Sequence, residues 1–121
     1  MRAFVFCDDA SVVSIIRRTM NLGWPDGCEV LTLPCSDGEY QASLKGADFV
    51  FVDGDSLGPE TVRAIRSAVS CPLIGLASLD ETNVTVSWLL ASGVDDYLYK
   101  PFSAIEVLRR LSSQVPGENV S

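Results

Sequence analysis

Five short apolar runs, separated by segments of helical period, constrain this chain more than any other feature. The clearest is Phe49-Val50-Phe51-Val52, which has no polar alternation and stops on Asp53. A strand with one wet face alternates apolar and polar residues, whereas a continuous run belongs to a strand covered on both faces. Ala3 to Cys7, Glu29 to Leu33, Pro72 to Ala77 and Asp96 to Tyr99 read as four further strands. Ala10 to Leu22 carries Val12, Ile15, Ile16 and Met20 at helical spacing, with Asp9 or Ser11 as its cap. Asp37 to Lys45 reads as a modest second helix. The third starts at Pro59, a residue suited to a first turn, and puts Val62, Ile65, Ala68 and Val69 on one face. Thr82 to Ser92 is the fourth, and Ser103 to Gln114 the fifth, with Ile105, Leu108 and Leu111 inward.

Strands and helices that alternate in this way predict a doubly wound (βα)5 α/β sandwich: a five-stranded parallel sheet with helices on both faces. Right-handed crossovers bring the strand ends Asp8-Asp9, Asp53 and Lys100 to one edge of the sheet. In open α/β sheets ligands bind at that edge, where the strand order reverses.

The chain has 121 residues, enough for one domain with a real core, and is 47% hydrophobic and 21% charged. Its net charge of −7 argues against direct nucleic-acid binding, which rewards clustered Lys and Arg. No stretch is long enough to span a bilayer, and the apolar run at the N-terminus is too short for a signal peptide, so a cytoplasmic protein is expected. Cys7, Cys28, Cys35 and Cys71 show no CxxC spacing and there is no histidine, which leaves a zinc site short of ligands. Free thiols are expected. The missing histidine also removes Ser-His and Cys-His catalysis. Pro116 to Ser121 reads as a polar tail or the start of a linker after a domain covering residues 1–115.

Carboxylates gathered at one edge repel unless a cation or proton intervenes. Oxygen ligands on loops suit Mg2+, which bridges protein carboxylates to phosphate oxygens. A carboxylate beside that metal can attack a phosphoryl group to form an aspartyl phosphate, while a fixed lysine neutralises the transferred oxygens. Asp53, at the end of the central apolar strand, is the expected nucleophile. Taken singly, Asp8-Asp9 also suits a helix cap, Asp53 a turn and Lys100 a solvated surface. Their joint placement on one edge favours a site.

Phe4-Val5-Phe6-Cys7-Asp8-Asp9, Ala47-Asp48-Phe49-Val50-Phe51-Val52-Asp53 and, most specifically, Gly93-Val94-Asp95-Asp96-Tyr97-Leu98-Tyr99-Lys100-Pro101-Phe102 carry a resemblance. From about Arg2 to Gln114 the chain resembles the CheY-like receiver domains of response regulators in two-component signalling. The resemblance implies strand order 2-1-3-4-5. It implies that Asp53 takes a phosphoryl group from a histidine kinase or phosphotransfer protein, and that the domain is a phosphoacceptor rather than an enzyme, with self-dephosphorylation at most. Asp8, Asp9, Asp53 and the backbone carbonyl of Asp55 would hold Mg2+. Lys100 would pair with the phosphoryl group, before a cis bond to Pro101. Tyr97 would be the switch residue, reporting to a face made of the fourth helix, fifth strand and fifth helix. That face includes Trp88, Asp96, Tyr99, Arg109 and Arg110, and it is also where a homodimer would form. Asp96 and Arg110 could bridge such a dimer or remain solvated.

Two departures stand out. Ala77 falls where the family has a hydroxyl, with Ser78 one residue later, so either Ser78 substitutes through a shifted loop or the hydroxyl is lost. The loop after Asp53 reads Gly54-Asp55-Ser56-Leu57-Gly58, and Asp55 adds a charge that could aid metal binding or repel a phosphodonor. A degenerate receiver, acting as an interaction module without switching, is the alternative these departures support. Asp53-Gly54-Asp55-Ser56-Leu57 also resembles the nucleophile motif of haloacid-dehalogenase-type phosphatases, with Asp55 as acid and base. In those enzymes the motif opens the chain, and the other catalytic segments and the cap follow.

Overall fold

A computed structural model describes residues 1–33, 44–79 and 83–114. Five strands, β1 (Arg2–Phe6), β2 (Glu29–Thr32), β3 (Phe49–Asp53), β4 (Leu73–Ser78) and β5 (Asp96–Lys100), form one sheet. All pairings are parallel, in the order β2-β1-β3-β4-β5. Four helices are described: α1 (Ala10–Gly23), α2 (Pro59–Ala68), α3 (Val84–Ser92) and α4 (Ala104–Gln114). The helix expected from Asp37 falls mostly outside the described residues, and its last two positions, Leu44 and Lys45, are in a turn.

Each strand divides its residues between two cores by the period-two alternation of strands. Ala3, Val5, Phe49, Phe51, Ile74, Leu76 and Leu98 pack with Val12, Ile16 and Met20 of α1 and Val107 and Leu111 of α4. Phe4, Phe6, Val50, Val52, Leu73 and Ala77 pack on the other face with Val62 and Ile65 of α2 and Val86 and Leu89 of α3. Every residue of β3 is buried. This is the fully covered central strand expected from Phe49-Val50-Phe51-Val52.

Local chemistry sets the helix starts. Asp9 caps α1, its Oδ1 accepting from the Ser11 amide at 2.9 Å and the Ser11 hydroxyl at 2.7 Å. Pro59 occupies the first turn of α2, where no backbone donor is needed. On α4 the inward stripe is Val107 and Leu111, with Leu108 half-buried, and Ile105 is 67% exposed, contrary to expectation. Two residues amount to about 200° around a helix, so Ile105 and Val107 cannot share a face.

At the N-terminal edge of the sheet Arg66 ties α2 to the strands. Its guanidinium donates to the carbonyls of Gly93, Val69 and Cys71 and to Asp95 Oδ2, at 2.9–3.1 Å. Asp95 also accepts from the Leu73 amide at 2.8 Å. This cluster holds the starts of β4 and β5, leaving the opposite edge for the site.

Candidate functional site at the C-terminal edge of the sheet

Alternation decides what meets at that edge. Cys7, Phe51, Leu76 and Leu98 share the α1–α4 face. Two residues beyond Phe51, Leu76 and Leu98 come Asp53, Ser78 and Lys100, each the last residue of its strand and on the same face. Parallel register places Ser78 directly beside Lys100. Ala77 points into the other core and is fully buried. The hydroxyl that β4 brings to this edge is therefore that of Ser78, and it arrives within the strand without a shifted loop.

Asp53 is 2% exposed, and both of its oxygens are engaged. Oδ1 accepts from Lys100 Nζ and from the Asp55 amide, each at 3.0 Å. Oδ2 accepts from the Ser56 hydroxyl at 3.0 Å and the Cys7 thiol at 3.2 Å. The turn after β3 closes on the strand end, with the Ser56 and Leu57 amides donating to the Asp53 carbonyl. Gly54 suits this turn, because a Cβ would lie 2.5 Å from Thr85 Cγ2 and 3.1 Å from Leu89 Cδ1 of α3, and those side chains would have to shift.

Lys100 bridges two carboxylates, its Nζ also lying 2.8 Å from Asp55 Oδ2. The Ser78 hydroxyl and amide donate to the same Asp55 oxygen at 2.7 and 3.1 Å. Burial opposes ionisation of Asp55, but the bonds from Lys100 and Ser78 outweigh it and lower its pKa below 3.8. Burial likewise opposes the charge on Lys100, and the bonds to Asp55 and Asp53 raise its pKa above 10.5. The pKa of the Cys7 thiol is pushed up to about 12, chiefly by burial and further by its bond to Asp53. It is a neutral donor to Asp53, not a nucleophile.

Asp8 and Asp9 are exposed at the same edge. The bonds from Ser11, its side chain first, lower the pKa of Asp9. Asp8, Asp9, Asp53 and the Asp55 carbonyl are hard oxygen donors of the kind Mg2+ takes. As folded they are not assembled into a cage: among the described residues no three His, Cys, Asp or Glu stand close enough to hold a cation. The nearest positive charge to Asp53 is Lys100.

A groove of about 340 Å3 beside the site is lined by Asp9, Ser11, Ser78, Lys100, Pro101 and Phe102. The Lys100-Pro101 bond is cis. Tyr97 is half-buried, with its ring edge-on to Tyr99 at 5.4 Å and the Arg110 guanidinium 5.9 Å from its centre. The Tyr99 hydroxyl bonds Asn83 Oδ1 at 2.9 Å. Asp96 and Arg110 pair with each other at 3.0 Å within the chain, with the Arg110 side chain still 43% exposed. Trp88 is half-buried against the α2–α3 core.

The sequence reading missed Cys7 and Ser56 as partners of Asp53, and missed where the Asp55 side chain goes. A thiol two residues before the α1 cap, on the same strand face as the acidic end, was the available signal for Cys7. Ser56 and Asp55 had no such signal, since their side-chain directions depend on the closure of the turn. Cys7, Cys28 and Cys71 are free thiols, and Cys35 lies outside the described residues.

No protein-family model matches the chain. It is 32% identical over 114 residues to the transcriptional regulatory protein SpaR of Bacillus subtilis, a match spanning 92% of this chain and 50% of SpaR. This chain has the CheY-like receiver fold and is similar in sequence to response regulators. It spans about half the length of the curated relatives it matches. A two-component response regulator from Clostridium difficile shares the fold at a TM-score of 0.75 and 18% identity, covering 99% of both chains. An atypical orphan response regulator with a phosphorylation-independent regulatory mechanism does so at 0.75 and 20%, covering 100% of both. The CheY-like sheet order matches the expected 2-1-3-4-5. No helix among the described residues is long and apolar enough to cross a membrane.

Proposed function

We propose that this receiver accepts a phosphoryl group on Asp53 from the phosphohistidine of a histidine kinase or phosphotransfer protein. The observation that carries the reading is the Lys100 ammonium, 3.0 Å from a buried carboxylate at the end of the central strand. An Asp53 oxygen forms the new bond to phosphorus, and the bond from phosphorus to the donor breaks. With phosphohistidine the leaving nitrogen then takes a proton from solvent; with acetyl phosphate, acetate leaves. Lys100 follows the transferred oxygens, and Ser78 is the hydroxyl within reach of them. Asp8, Asp9, Asp53 and the Asp55 carbonyl would hold Mg2+, which when bound offsets the charge shared by carboxylates and phosphate.

The chain acts as a phosphoacceptor in the cytoplasm and not as a turnover enzyme. Asp55, ionised and tied to Lys100 and Ser78, is poorly suited to the acid role of a haloacid-dehalogenase-type phosphatase. Phosphorylation is read out through Tyr97 on the α3–β5–α4 face, where a homodimer or downstream partner would dock. With its net charge of −7 the domain does not bind nucleic acid directly. The degenerate-receiver alternative draws on the filled hydrogen-bonding capacity of Asp53 and on the likeness to the orphan regulator.

Incubation with acetyl phosphate and Mg2+, read by intact mass, is expected to give a single phosphoryl adduct that Asp53→Asn removes. No adduct on the wild-type chain would favour the degenerate receiver. An adduct that persists in Asp53→Asn would refute the assignment of the acceptor.

A further inference from the structure

Three donors converge on one oxygen of Asp55: the Lys100 ammonium at 2.8 Å, the Ser78 hydroxyl at 2.7 Å and the Ser78 amide at 3.1 Å. A cation, a hydroxyl and a backbone amide aimed at one point form a site for an oxyanion. They are also the groups at this edge that a phosphoryl group on Asp53 would engage. Lys100 lies nearer to Asp55 than to Asp53. We propose that the Asp55 carboxylate is a built-in competitor that occupies the oxyanion position of the site, so that a phosphoryl group enters only by displacing it.

The turn holds Asp55 in this role. Its amide is bonded to Asp53 Oδ1, and the Ser56 and Leu57 amides close on the Asp53 carbonyl. Gly54 lets the turn lie against Thr85 and Leu89, space that a Cβ would take. The backbone of Asp55 is thereby fixed at the strand end, and its side chain spans the gap to β4 and β5. Two consequences follow. An incoming phosphodonor meets a carboxylate where it needs a cation, and Lys100 and Ser78 already hold an anion before any phosphate arrives. Phosphorylation then exchanges one anion for another, which reduces the change passed to the output face.

The proposal rests on Asp53 being the acceptor, and two readouts on the intact chain separate the two ideas. The first is the rate of adduct formation with acetyl phosphate and Mg2+ in wild type, Asp55→Asn and Asp55→Ala; all three keep the backbone carbonyl of residue 55. Removing the competing charge is expected to speed labelling about tenfold or more, since a change of that size matches the loss of one charge-assisted bond. An equal or slower rate in both variants overturns the proposal and leaves the acceptor reading intact.

The second needs no phosphorylation. Inorganic phosphate is titrated against Asp53→Asn and against Asp53→Asn with Asp55→Asn, following the Ser78 amide by NMR. The affinity is expected to rise at least fivefold when Asp55 loses its charge. Equal affinities overturn the proposal even where labelling fails. Tighter phosphate binding with no adduct on any chain upholds the competitor and defeats the acceptor reading.

Discussion

Replacing Lys100 with methionine is the sharpest test of how this edge is held together. The substitution removes the ammonium between Asp53 and Asp55 and keeps an unbranched side chain. Deleting one partner of a buried ion pair costs about 3–5 kcal/mol, because the other charge is left without compensation. Asp53, with 3% of its side chain exposed, fits that case, while Lys100 at 15% has some access to water. Asp53 also keeps the Asp55 amide and the Ser56 hydroxyl, so the expected loss lies at the low end, about 3 kcal/mol. For a domain of this length that lowers Tm by roughly 10–15 °C. Urea unfolding, followed through Trp24 and Trp88, measures the loss as a drop in midpoint at constant slope. Adding Asp53→Asn to Lys100→Met removes the stranded charge and is expected to restore at least half of it. A buried pair is only weakly screened, so the pattern holds between low and high salt. A loss under about 1 kcal/mol, or no recovery in the double variant, would refute the idea that Lys100 compensates a buried charge.

Two further outcomes are expected. The pKa of Asp55 is lower in the folded chain than its ordinary 3.8, so its contribution is present above that value and is lost as pH falls through the folded value. The pKa of Lys100 is raised above 10.5, so its contribution is complete below that pH and is lost as pH rises through the folded value. Stability measured against pH should therefore fall at both ends, and Asp55→Asn should flatten the acid limb; an unchanged acid limb would contradict the pairing. Gly93→Ala puts a side chain at φ +111°, with its Cβ 2.7 Å from Arg66 Cγ. The expected loss is about 1–3 kcal/mol by urea unfolding, with adduct formation unchanged because Arg66 works at the opposite edge.

Several features were legible in local sequence because their causes are local. Phe49-Val50-Phe51-Val52 reads as a doubly covered strand since it lacks the alternation a wet face would demand, and all of β3 is buried. Asp9 as the cap of α1 and Pro59 in the first turn of α2 follow from which backbone donors a helix start leaves free. Ile105 was misread because its apolar character was weighed without its angle from Val107. Asp96 and Arg110, 14 residues apart, found each other across β5 and α4, a pairing that needs the two elements in place.

The sequence alone determined that this chain would be a parallel α/β sheet with Asp53, Lys100 and Asp8-Asp9 at one edge. Strand burial, helix period and right-handed crossover leave little else for such a pattern. It also left two alternatives for the hydroxyl missing at Ala77: Ser78 supplies it, or it is lost. Only the tertiary structure brings a β4 hydroxyl to the edge, because register sets Ser78 beside Lys100 and alternation sends Ala77 into the opposite core. It alone decided the use of Asp55, whose charge is visible in sequence but whose direction is not. That carboxylate takes up Lys100 and Ser78 only because the turn after β3 and the ends of β4 and β5, 23 or more residues away, close around one point.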